Sequence, residues 1–179
     1  MKSENYREKI DKVMQTIHYG WVDKDGQRHE KLQGFSDNYR LQFPDELLKS
    51  KLGVCWDQVE LERKLFADEG IRVTPFFIVY YDDAKCPTHT FVLIEEDGKT
   101  IWYEHAWEKY AGWHKYKNTI EAMRDIRNKF LEQEHLTNIN WDNLVIYMDY
   151  PAPTEKLSCL EFYHHCEDKK NPRFRQETL

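Results

Sequence analysis

Tyr6, Ile10, Val13, Met14 and Ile17 recur at the spacing of one helical face behind Ser3, a capping residue type, and predict a helix over residues 4 to 18 that ends near Gly20. Trp21-Val22 and the turn residues Lys24-Asp25-Gly26 predict a small hairpin or an irregular loop, and the polar stretch through Asn38 adds no stronger signal. Pro44, Asp45 and Glu46 then suit a helical first turn, the proline by its fixed φ and the acids by their charge, so a helix is expected up to Gly53. From Val54 to Glu69 the stripe Val54, Gln58, Leu61 and Leu65, flanked by Val59 and Phe66, follows a 3.6-residue period, and Gly70 stands where a left-handed closing residue belongs.

After Gly70 the pattern changes. Val73–Tyr81, His89–Ile94 and Ile101–Trp107 are β-branched and aromatic, and Asp97-Gly98 between the last two predicts a hairpin with a two-residue turn. Asn118 and Glu121 form a capping box ahead of Ile120, Met123, Ile126 and Phe130, predicting a helix over 119 to 134. A strand over 145 to 150 halts at Pro151. Thr154 is expected to cap a short helix carrying Cys159, Phe162, Tyr163 and Cys166 on one stripe, and residues 169 to 179 read as a frayed, solvated tail. Helices and strands mixed in this way give an α+β class, with residues 1 to 168 as one domain.

Composition narrows the function. The 32 acidic against 26 basic side chains give a net charge of −6, which argues against a nucleic-acid partner. No apolar run reaches the roughly 20 residues that span a bilayer, and the charged N-terminus lacks an apolar signal core, so the expectation is a cytoplasmic protein with no membrane partner. In that compartment Cys55, Cys86, Cys159 and Cys166 are expected to be thiols.

One of those thiols has chemistry around it. Cys55, in Gly53-Val54-Cys55-Trp56-Asp57, opens the helix after Gly53, where free N–H groups and the helix dipole favour a thiolate and can also stabilise an oxyanion. Asp57 in the same turn would repel a thiolate if it pointed that way. A two-residue turn at Asp97-Gly98 puts Glu96 opposite Lys99, Phe91 opposite Glu104 and His89 opposite Ala106. His89 and Glu104 are then diagonal neighbours on one face, roughly 7–8 Å apart at Cα, within reach of an imidazole and a long carboxylate. His105 falls on the other face. A nucleophile, a base and an orienting acid follow in that order: Cys55, His89 and Glu104. A small buried hydrophobe for Cys55 and a strand-edge role for His89 are the plainer alternatives.

The stretch from Pro44 to Trp107 resembles the core of the transglutaminase-like superfamily, papain-fold cysteine enzymes also similar in site layout to arylamine N-acetyltransferases. The matching pieces are Leu47-Leu48, Gly53-Val54-Cys55-Trp56-Asp57 with its helix, Glu69-Gly70-Ile71 leading to Val73, Thr88-His89 entering a strand, and Trp102 before Glu104. The resemblance implies a papain-like α+β fold whose nucleophile helix packs on an antiparallel sheet, with Cys55 as nucleophile, His89 as base and Glu104 as third member. Phe91 stands where the family usually has tryptophan, and Glu104-His105-Ala106 where it usually has an aspartate before proline. Trp56 through its backbone and Tyr39 through its side chain are candidates for a second oxyanion donor.

The expected function is cysteine-dependent acyl transfer on an amide of a peptide, isopeptide or glutamine side chain, with hydrolysis preferred over cross-linking, a peptide or protein as substrate, and neither cofactor nor metal. The alternative is a catalytically silent peptide-binding module on the same fold. His164-His165-Cys166 with Cys159 has metal-ligand chemistry, but adjacent histidines diverge on a helix and packing accounts for the cysteines. Cys86 is a possible redox partner of Cys55, and Trp107, Trp113 and His114 are candidates for a cleft wall, with Trp102 assigned to the core.

Overall fold

The computed structural model describes residues 5–83, 85–175 and 179, so the expected Ser3 cap lies outside the described residues. The first helix, α1 (Asn5–Met14), ends short of the expected residue 18 because two tight turns, Thr16 N to Val13 O and Ile17 N to Met14 O, unwind it into β1 (His18–Tyr19). Two short strands, β2 (Trp21–Val22) and β3 (Arg28–His29), form the hairpin around Gly26. The chain continues through α2 (Phe35–Asn38), α3 (Pro44–Ser50) and β4 (Leu52–Gly53), which pairs parallel with β1, to the central helix α4 (Cys55–Asp68).

Five antiparallel strands follow: β5 (Thr74–Tyr80), β6 (Thr88–Glu96), β7 (Lys99–Glu104), β8 (Gly112–Tyr116) and, after α5 (Thr119–Gln133), β9 (Leu144–Met148). Their order in the sheet is β8-β7-β6-β5-β9. The last helix is α6 (Cys159–Cys166), capped by Ser158 rather than Thr154: the Ser158 hydroxyl accepts from Glu161 N and the Glu161 carboxylate accepts from Ser158 N. With six helices and this sheet among the described residues, the chain is α+β. No described helix is long and apolar enough to cross a membrane.

Alternation along the strands divides the core. Val92, Ile94, Ile101 and Tyr103 pack with α1 and with Val59, Leu61 and Phe66 of α4. The opposite face, with Phe76, Ile78, Phe91, Leu93 and Trp102, packs under Ala122, Met123, Ile126 and Phe130 of α5. A third cluster joins Cys55 and Trp56 to Phe77, Tyr147 and Phe162, where Trp56 stacks on Phe162 with ring centroids 4.4 Å apart. The segment after α6 is largely exposed over residues 169 to 175, but part of it is tied to the sheet rather than frayed. Met148 N donates to Pro172 O at 2.9 Å, Phe174 N to Ile146 O at 2.8 Å, and Phe174 packs near Phe76.

Candidate active site

The hairpin carries the site, and its turn fixes which residues face one another. Asp97 (φ 50°) and Gly98 (φ 69°) both take the left-handed conformation that a tight two-residue turn demands. The register runs from Glu96 opposite Lys99 to Val92 opposite Tyr103, as the turn length requires. Extending it by one pair puts Phe91 across from Glu104, so His89, Phe91 and Glu104 share a face. His105 departs in another direction, its Nε2 lying 3.0 Å from Ile17 O.

That shared face is the one α5 covers, while the body of α4 packs on the opposite face. It is the first turn of α4, not its body, that reaches the histidine-bearing end of the sheet. The β6–β7 ladder ends at Val92–Tyr103, so no β7 pair lies alongside His89. At this open stretch Cys55, from the first turn of α4, lines the same cavity as the imidazole and acts on its charge.

Local structure explains why Cys55 is placed there. The helix is capped by Val54 in an extended conformation, not by Gly53, which makes Cys55 the first helical residue. Gly53 is needed for a different reason: a Cβ there would lie 2.6 Å from Leu47 Cδ1 and 3.0 Å from the Asp57 Cβ. Asp57 does not oppose a thiolate. Its carboxylate turns back to accept from Val54 N at 3.0 Å, Gln42 N at 2.9 Å and the Tyr39 hydroxyl at 2.8 Å. Tyr39 is thereby fully buried and committed to Asp57, which removes it as an oxyanion donor. Gln58 N to Val54 O is the first intrahelical bond, leaving the N–H groups of Cys55 and Trp56 without an intrahelical acceptor.

Glu104 is the hub. Its Oε2 accepts from His89 Nε2 at 2.8 Å and its Oε1 accepts from the backbone N–H of Trp107 at 2.7 Å. The indole of Trp107 in turn stacks on the His89 ring, with centroids 3.5 Å apart and planes 12° from parallel. The imidazole is thus fixed in position by the carboxylate and in plane by the indole, and because Nε2 is taken, Nδ1 is the nitrogen left for Cys55. His89 and Glu104 are 1% and 3% exposed, so this is a buried ion pair, an arrangement with a large desolvation cost.

Burial works against the His89 charge, but Glu104 and Cys55 outweigh it and raise the pKa to about 10. An unfolded histidine titrates near 6.5. The stability that His89 contributes is therefore complete below about pH 6.5 and is lost as pH rises through about 10. An NMR titration of the His89 ring should show an alkaline midpoint; a midpoint below about 7 would mean that no imidazolium faces Cys55 at neutral pH.

Cys55 opens onto a cavity of about 350 Å³ whose walls include Tyr19, Phe35, Trp56, Trp107, Tyr163, Cys86, Cys159 and Glu134. Trp107 is both a wall and a support for the histidine, while Trp113 faces away and bonds Asp11. Trp102 lies in the core and stacks on His114. Cys166 is buried as its stripe predicts, but Cys159 lines the cavity, where burial pushes its thiol up to about 11. His164 and His165 are turned to other partners, Glu167 and the Pro151 carbonyl. Tyr19 and Glu134 carry no pattern in the sequence: one lies between the predicted first helix and Gly20, and the other ends a helix. Trp107 had a readable signal in hindsight, three residues after Glu104, the span of a turn closed onto its own carboxylate. In comparisons with known proteins, no family model matches the chain and no curated protein matches it significantly.

Proposed function

We propose that the protein is a cysteine-dependent acyl-transfer enzyme of transglutaminase-like, papain-fold type that hydrolyses an amide in a peptide or protein, without cofactor or metal. The observation that carries this reading is a thiol, Cys55, lining one cavity with a buried imidazole, His89, whose Nε2 is held by the Glu104 carboxylate. A buried ion pair of that cost is poorly explained as packing.

The Cys55 thiolate adds to the amide carbonyl, forming the C–S bond and pushing the carbonyl electrons onto oxygen. Free N–H groups of the α4 first turn stabilise that oxyanion. The His89 imidazolium gives its Nδ1 proton to the departing amine as the C–N bond breaks. Water then attacks the thioester, His89 takes its proton, and the acid leaves with the thiolate restored. Hydrolysis is preferred to transfer because it needs only water as the second nucleophile.

Incubation with 4-nitrophenyl acetate tests this against the silent binding module. Acetyl-Cys55 should accumulate in a burst followed by steady turnover, and both should depend on His89. Acylation of Cys55 no faster than that of the exposed Cys86, without turnover, would leave the binding module as the better reading.

A further inference from the structure

We propose that the cavity over Cys55 receives a cationic side chain of the amide substrate and that Glu134 is the residue that recognises its charge. The word substrate rests on the acyl-transfer reading; the charge preference of the cavity does not. Glu134 closes α5, its backbone N–H bonded to Phe130 O at 3.0 Å, and its half-buried side chain lines the same cavity as Cys55 and His89. Among the described residues that side chain makes no hydrogen bond or ion pair of its own.

The cavity has Glu134 as the one carboxylate of its lining. Its lining contains no lysine or arginine, and its one cationic group, His89, is already engaged by Glu104 and Cys55. Burial raises the Glu134 pKa, opposed by Lys85, His89 and His135. Lys85 lies outside the lining. Tyr19, Trp107 and Tyr163 complete the lining, and an ammonium or guanidinium gains from a carboxylate and from aromatic rings beside it.

Thiol reagents of matched size test this on the full chain, with modification of Cys55 followed by peptide mass spectrometry. Cationic 2-aminoethyl methanethiosulfonate should modify Cys55 faster than anionic 2-sulfonatoethyl methanethiosulfonate. Glu134→Gln should shrink that cation-to-anion ratio by at least about fivefold, the effect of removing one charge several ångströms away in a half-buried site. Glu134→Asp should retain most of it. The neutral methyl reagent reports access and thiol activation alone, so slow neutral modification would count against the acyl-transfer reading while the ratio still reports on Glu134. Using that neutral reagent, acetyl-arginine amide should protect Cys55 at lower concentration than acetyl-citrulline amide, and the difference should vanish in Glu134→Gln. An unchanged ratio in Glu134→Gln, an anion preference in the wild type, or equal protection by the two amides would overturn the proposal.

Discussion

Iodoacetamide at about pH 6 should modify Cys55 at least about a hundredfold faster than Cys86, and His89→Ala should abolish most of that advantage. The four thiols make the experiment internally controlled. Cys86 is exposed and therefore reacts as an ordinary thiol, whereas Cys166 is fully buried and should stay slow. Cys55 is less accessible than Cys86, so greater reactivity has to come from its environment. That environment is an imidazole held in its charged form by Glu104, together with the N-terminus of α4. The cavity supplies access for a small reagent. Equal rates at Cys55 and Cys86, with no response to His89→Ala, would remove the nucleophile from the proposed mechanism.

Glu104→Gln should lower turnover by about two to four orders of magnitude while the protein stays folded. Glutamine keeps the shape and retains a carbonyl for the Trp107 N–H, so that half of the hub survives. The other half presents an amide donor to His89 Nε2, which requires the unprotonated nitrogen there and moves the proton to Nδ1, the side facing Cys55. The negative charge that keeps the ring protonated is lost as well. Glu104→Asp should cost less, because the charge remains and only one methylene of reach is missing. The decisive comparison is turnover against thermal stability in the same variants: wild-type turnover in a folded Glu104→Gln protein would exclude Glu104 from the site.

The pairing of His89 with Glu104 was legible because it depends on short-range rules. Asp97-Gly98 sets the turn, the turn sets the register, and alternation then places His89 and Glu104 together without reference to the rest of the chain. The helix stripes were legible for the same reason. What escaped depends on segments far apart in sequence or on irregular backbone. Strand β8 went unpredicted because Gly112-Trp113-His114-Lys115-Tyr116 lacks an apolar alternation and is only partly buried at the sheet edge. Tyr39 looked available because no local pattern reveals that its hydroxyl meets Asp57, eighteen positions on. The cap of α6 is Ser158 rather than the expected Thr154 because the bond that the Glu161 carboxylate accepts from Ser158 N fixes where the first turn begins.

The backbone bonds from Met148 to Pro172 and from Phe174 to Ile146 have a bearing on how molecules of this protein meet one another. A five-stranded open sheet presents two rims, each a row of amides able to recruit a strand from a neighbouring molecule. Along β9 the segment from Pro172 to Phe174 occupies that row, with a proline at its start and Arg173 lying over the Tyr147 ring. Proline offers no N–H and arginine keeps a charge at the boundary, so the covering segment does not itself invite another strand. The amides along that stretch of β9, which carries Tyr147 of the Cys55 cluster, are thereby engaged within the molecule, and that engagement opposes sheet-to-sheet association through a few residues that a reading by hydrophobic pattern alone leaves in solvent.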